Sequence, residues 1–218
     1  MKISIDGPAA SGKTVVGKSV SDKLNLRFLD TGLMYRAATW LCLNNNIDIG
    51  NVKATTQIVC SGIFQPINDK GEIGVTINDN PVHQDLYTKE INASVSRLSK
   101  IKQVRAHLVK QQQHISESGS IVMVGRDIGT VVMPDARPKV FLEASLEVRV
   151  LRRMSENELH VNKYQIDQMK KNLRARDKMD SERKESPLRP ANDALLIDTT
   201  KIGIEEVVAI IVAATNKN

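Results

Sequence analysis

A chain of 218 residues with 41% hydrophobic side chains can bury a substantial core, which excludes wholesale disorder. An aromatic content of 3% argues against a protein that stacks the bases of single-stranded nucleic acid. The formal net charge of +6 suits a polyanionic partner, either nucleic acid or small phosphates, and two cysteines are too few for a disulfide framework.

In chain order, Ile3 to Ile5 reads as a short apolar strand that runs into a Gly/Ala/Ser loop. Val16, Val20 and Leu24 form a stripe at four-residue spacing, which predicts a helix over Val15 to Leu24. Leu26 to Leu29 reads as a second strand and Leu33 to Leu43 as a helix. Ile63 to Val82 breaks this rhythm. There, alternating β-branched residues flank Asp69-Lys70-Gly71 and Asn78-Asp79-Asn80, the pattern of an antiparallel hairpin or small meander. A long helical stretch over Tyr87 to His114 follows. Ile121 to Val124, Val140 to Leu142 and Leu195 to Ile197 are further short strands, and helices over Leu146 to Met154 and Ile204 to Ala214 follow the last two. Strands alternating with helices imply an α/β fold with a parallel sheet covered on both faces. The expected organisation is a core over 1–60 and 115–218, with an inserted antiparallel β subdomain over 61–114.

The longest apolar run, Val207 to Ala214, is too short to span a bilayer, and Met1 to Ile5 shows no leader pattern. A cytoplasmic protein without a membrane partner is expected. The four histidines lack metal-ligand spacing. From Lys170 to Arg189 eight basic residues stand among acidic ones, which resembles a hydrogen-bonding site more than a basic tail.

Gly7-Pro8-Ala9-Ala10-Ser11-Gly12-Lys13-Thr14 fits G-x-x-x-x-G-K-[ST], and a predicted strand precedes it while a helix follows. Glycines let the backbone aim consecutive N–H groups at phosphate oxygens, and the helix adds its positive N-terminal end. Gly7 through Thr14, with Val15, are therefore the candidate ATP-binding residues. Lys13 would reach the β- and γ-phosphates and the Thr14 hydroxyl would ligate Mg²⁺. A chance match in a chain of this length is on the order of one in a hundred. The Asp-x-x-Gly and Asn-Lys-x-Asp strings of a GTPase occur nowhere. A small-metabolite kinase fits better than a GTPase or a motor ATPase.

Three more segments place polar residues just beyond strand ends, where α/β sheets bind ligands. They are Asp30-Thr31-Gly32-Leu33-Met34-Tyr35-Arg36, Gly125-Arg126-Asp127-Ile128-Gly129-Thr130, and Arg176 to Arg183 running on to Ser186-Pro187-Leu188. With Ile5-Asp6-Gly7-Pro8 and the closing Asp198-Thr199-Thr200, they resemble the bacterial cytidylate kinase family along essentially the whole chain. The resemblance implies a P-loop three-layer fold with a five-stranded parallel sheet, an enlarged monophosphate-binding insertion and a short lid near Ser155 to Lys163. It implies transfer of the γ-phosphoryl group of ATP to CMP or dCMP, with small-molecule substrates, no nucleic-acid partner and a monomeric enzyme. Carried over by position, Arg36, Arg126 and Arg183 would hold the CMP phosphate beside Thr31. Ser96, Arg105 and Asp127 would read the cytosine edge, and Arg176 and Asp180 would meet the ribose. Lys13, Arg126, Arg183 and Arg153 are the catalytic candidates, with Arg149 and Arg152 as further contacts to the transferring phosphate. The sequence departs from the family by carrying Ala10 where glycine is common. The residues alone leave two alternatives: a P-loop kinase for another monophosphate or a small hydroxyl acid, and a nucleotide-dependent nucleic-acid binder.

Overall fold

A computed structural model describes residues 1–67, 73–82, 85–156 and 162–216. The main sheet contains β1 (Lys2–Asp6), β2 (Arg27–Asp30), β6 (Ile121–Gly125), β7 (Lys139–Glu143) and β8 (Leu195–Asp198), ordered β2-β6-β1-β7-β8 and wholly parallel. Along β6 the side chains alternate between two apolar clusters. Ile121 and Met123 face one, and Val122 and Val124 face the other. Burial on both faces is why the central strands β1, β6 and β7 read as continuous apolar runs rather than alternating ones. One face is covered by α1 (Lys13–Leu24) and α8 (Ile204–Thr215), through Val16, Val20, Val207 and Ile211. On the other lie α2 (Thr31–Asn44) and α5 (Lys102–Glu117), which share a cluster with the small sheet.

That small sheet is antiparallel, in the order β3 (Phe64–Ile67), β4 (Gly74–Ile77), β5 (Asn80–Pro81). Asn78 and Asp79 turn β4 into β5 with φ of 51° and 64°, the left-handed pair that a two-residue hairpin loop requires. The expected turn at Asp69-Lys70-Gly71 lies outside the described residues, as does most of the Ser155–Lys163 lid.

Three helical features differ from expectation. Val52–Cys60 forms helix α3, although it is rich in β-branched residues. Asn51 caps it by accepting from Ala54 N, Thr55 and Val59 are buried, and Ile58 packs against the core beside them. The stretch expected as one helix is two, α4 (Lys89–Leu98) and α5. The chain bends at Ser99-Lys100-Ile101 so that Leu98 and Ile101 can both be buried. Lys163–Ser181 is the 19-residue helix α7, in which Leu173 and Asp180 are buried and a short stripe of Ile166, Met169 and Leu173 packs against Ala9, Val150 and Met154. Helix α6 (Leu146–Glu156) lies before it, as expected. No helix among the described residues is long and apolar enough to cross a membrane.

Candidate active site

The phosphate loop joins β1 to α1 at the carboxyl edge of the sheet. Gly7 has φ of 150°, and a Cβ there would lie 2.2 Å from the Leu142 carbonyl oxygen, so no side chain fits. Ala10 adopts φ of 60°, the left-handed region that costs an alanine free energy and a glycine little. Lys13 Nζ donates to Pro8 O at 2.6 Å and Ser11 Oγ at 3.2 Å. Burial, and then the Arg126 charge, hold this amine well below the usual lysine range, with Asp30 and Asp6 opposing them.

Thr14 Oγ1 donates to Asp30 Oδ2 at 2.6 Å, while Asp30 Oδ1 caps α2 by accepting from Gly32 N at 2.9 Å. A hydroxyl and a carboxylate side by side at the start of α1 are hard oxygen donors of the kind Mg²⁺ takes alongside phosphates and water. The donor set fits that ion.

Two of the three α6 arginines support the loop from behind. Arg149 Nη1 donates to Ala9 O at 3.2 Å and pairs with Asp177 Oδ2 at 2.8 Å. Arg152 binds Thr199 through its carbonyl at 2.7 Å and its hydroxyl at 3.0 Å, and that hydroxyl lies 3.3 Å from Ser11 O. Both are thus committed to backbone and neighbours, which departs from the expectation that they meet the transferring phosphate. Arg153 alone of the three lines the cleft.

The cleft in front of the loop has a volume of about 520 Å³, the size of a small-molecule site. Of the expected ATP-binding residues, Ala9, Ala10, Gly12, Lys13, Thr14 and Val15 line it, whereas Gly7, Pro8 and Ser11 do not. The same cleft brings together all nine expected acceptor residues: Thr31 and Arg36 from α2, Ser96 from α4, Arg105 from α5, Arg126 and Asp127 beyond β6, and Arg176, Asp180 and Arg183 from α7 and its end. Seven cationic side chains line the cleft with three carboxylates, an excess that phosphate groups neutralise.

The carboxylates organise the arginines. Asp127 Oδ2 accepts from Arg105 Nη2 at 2.5 Å, and its Oδ1 lies 3.6 Å from Arg183 Nη2. Asp180 Oδ2 accepts from Arg126 Nε at 2.9 Å, and its Oδ1 lies 4.0 Å from Arg183 Nη1. Burial pushes the Asp180 carboxyl up, but Arg126, Arg176 and Arg183 together outweigh it and hold the group below the usual range. Asp180, expected at the ribose, is thus engaged with arginines. Arg176 is lowered to about 10 by burial and then by Arg126, and its buried Nε makes no hydrogen bond. Arg36 reaches across to the inserted segment, donating to Leu86 O and Asn92 Oδ1 at 2.9 Å each, with its guanidinium 4.3 Å above the Tyr87 ring.

Sequence reasoning missed Asp30, Tyr35, Tyr87 and Asn92, which also line the cleft. Tyr35 lies 5.6 Å from the Arg105 guanidinium, and burial raises its hydroxyl to about 12. A signal was present for Asn92: with Ser96 and Ser99 it repeats at helical spacing on one face.

The model of the family described as "Cytidylate kinase" matches residues 3–217. The chain belongs to the cytidylate kinase family. It is similar to the cytidylate kinases of Bacillus thuringiensis (strain Al Hakam) and Bacillus anthracis (strain A0248), at 42% identity in each case over 95% of this chain and 92% of the relative. Among solved structures it is similar in fold to an uncharacterized protein from Eubacterium ventriosum ATCC 27560. There the TM-score is 0.57 at 13% identity, over 100% of this chain and 99% of that one. TT1252 from Thermus thermophilus gives 0.53 at 15% identity, over 100% and 96%. As a cytidylate kinase family member the chain is a phosphotransferase of the nucleoside monophosphate kinase class.

Proposed function

We propose that the chain transfers the γ-phosphoryl group of ATP to CMP or dCMP, giving ADP and CDP or dCDP. One observation carries this: a phosphate loop and a buried Arg105–Asp127 pair open into the same cleft. The loop suits a triphosphate. The pair offers a cation beside a carboxylate, matching the N3 acceptor and N4 donor of cytosine.

The acceptor phosphate lies against Arg126, Arg183 and Arg36, whose guanidinium groups bind it and offset repulsion between two anionic substrates. A phosphate oxygen of CMP attacks the γ-phosphorus, and the bond to the β-bridging oxygen breaks in line with it. Lys13 and Arg153 stabilise charge on the transferring group and its leaving oxygen. Thr14 and Asp30 would hold Mg²⁺, which supplies charge neutralisation at the β- and γ-oxygens. Catalysis is positioning and electrostatics, with no covalent enzyme intermediate. The inserted segment over 61–114 serves the acceptor. The enzyme acts as a cytoplasmic monomer on small molecules alone.

A coupled assay with ATP, Mg²⁺ and CMP, dCMP, UMP and AMP tests this. CMP and dCMP should give the highest kcat/KM, and a higher value for UMP or AMP overturns the reading.

A further inference from the structure

Asp6 is the last residue of β1, only 4% exposed, and directly precedes the phosphate loop. Its carboxylate leaves its own strand. Oδ1 accepts from Ile128 N at 2.9 Å and Oδ2 from Gly129 N at 2.8 Å. These amides open the π-helical turn Ile128–Val132, whose N-cap is Asp127.

An aspartate at an N-cap ordinarily folds back to accept from the first free N–H groups of its helix. Asp127 makes no such bond. Its two oxygens face Arg105 and Arg183 instead. Asp6 takes the N–H groups that Asp127 would otherwise claim. The carboxylate that terminates the donor-side strand thereby leaves the acceptor-side carboxylate available to the cleft.

We propose that Asp6 is a positioning residue for base selection: by capping the turn in place of Asp127, it keeps Asp127 turned toward Arg105 and the acceptor base. This inference rests on the CMP kinase reading above and adds to it a residue that touches no substrate. Without Asp6 the orphaned amides at Ile128 and Gly129 would draw the Asp127 carboxylate back onto its own turn. Arg105 would lose its partner, and the phosphate loop itself would be unaffected.

The electrostatics point the same way. Burial raises the Asp6 carboxyl to about 6, with nearby Asp127 adding to the rise and the two amides and Lys13 opposing it. A folded-state value above the ordinary 3.8 means that ionisation costs stability, beginning as pH rises through 3.8 and complete above about 6. A neutral amide here avoids that cost, so a change in selectivity is separable from a loss of fold.

The test compares wild type, Asp6→Asn, Asp127→Asn and the double variant, measuring kcat/KM for CMP and UMP, KM for ATP and thermal midpoint. An asparagine accepts one N–H and leaves the other unmet. Asp6→Asn should lower the CMP-to-UMP preference at least roughly tenfold, the scale of a misplaced substrate-reading group. Its KM for ATP should stay within roughly threefold of wild type, and in the Asp127→Asn background the same change should add less than roughly twofold. An unchanged preference in folded Asp6→Asn, or full additivity in the double variant, overturns the inference while leaving CMP kinase activity intact. A wild type inactive on CMP overturns both readings. Asp6→Ser, which also keeps one acceptor, replaces Asp6→Asn if that variant does not fold. If neither folds, Asp6 belongs to the fold alone and the proposal fails.

Discussion

The Thr14 hydroxyl donates to the Asp30 carboxylate at 2.6 Å, tying the first turn of α1 to the end of β2. Asp30 uses its other oxygen to cap α2. Asp30→Asn should keep that cap through its amide oxygen while presenting an NH₂ where a hard acceptor was. The expected result is a rise of about tenfold or more in the Mg²⁺ concentration for half-maximal rate, because Mg²⁺ takes carboxylate and phosphate oxygens and rejects an amide nitrogen. A Mg²⁺ titration of the two proteins checks it, and equal half-saturation would remove Asp30 from the metal's surroundings.

Lys13 separates activity from stability. Lys13→Met keeps the stem and deletes the charge, so turnover should fall by about a thousandfold or more, the scale of losing a phosphate-stabilising cation. Burial depresses this amine, so the unfolded chain binds its proton more readily and the charged form costs the ligand-free fold stability. Lys13→Met should therefore melt at or above the wild-type temperature. Its advantage should shrink as pH rises toward 10.5, where lysine loses its charge in both states. Calorimetry without nucleotide across that range is the measurement, and a lower midpoint at neutral pH contradicts it.

Arg149 and Arg153 stand four residues apart on α6 and should fail differently. The Arg149–Asp177 pair is 2.8 Å long with Arg149 nearly buried, and the same guanidinium holds Ala9 O. Removing one partner of a buried pair costs about 3–5 kcal/mol, and the 25% exposure of Asp177 places this one toward the lower figure. Arg149→Ala should lower the thermal midpoint by several degrees and weaken ATP binding. Arg153→Ala should lower kcat with the midpoint nearly unchanged. Matching losses of midpoint in both variants would abolish the distinction.

Much of this arrangement was legible in the residues, for identifiable reasons. The central strands β1, β6 and β7 showed because each is buried on both faces, and the phosphate loop showed because Gly7 and Gly12 sit where only a glycine backbone is comfortable. Helix α7 was hidden because its apolar stripe is short, Ile166, Met169 and Leu173 in a highly charged segment, while Arg176 and Asp180 line the cleft. Nor could spacing divide the α6 arginines. Arg149, Arg152 and Arg153 look alike in sequence, and only the positions of Ala9, Thr199 and the cleft assign each its partner. Asp30 was missed as a site residue because one side chain serves a helix cap and the Thr14 hydroxyl at once.

Base choice offers the sharpest discrimination. Cytosine presents an N4 donor beside an N3 acceptor, and uracil reverses both. Each carboxylate oxygen accepts more than one donor, so Asp127 can receive N4–H while still bound to Arg105, and Arg105 has donors left for N3 or O2. Against uracil the carboxylate faces O4 and the guanidinium faces N3–H, leaving buried groups unpaired at about 1–3 kcal/mol each. Two such mismatches predict a preference for CMP over UMP of roughly a hundredfold or more in kcat/KM. Asp127→Asn can present oxygen to N4 or, flipped, NH₂ to O4, so it should narrow the preference rather than only abolish activity. It should also lose stability, because Arg105 would keep a buried charge without its counterion. Rates for CMP and UMP on both proteins at one salt concentration, with thermal midpoints, decide the matter. Wild-type values within roughly threefold of each other would remove the base edge from this pair. A variant with undiminished discrimination would remove Asp127 alone and leave Arg105 and Ser96 to read the base.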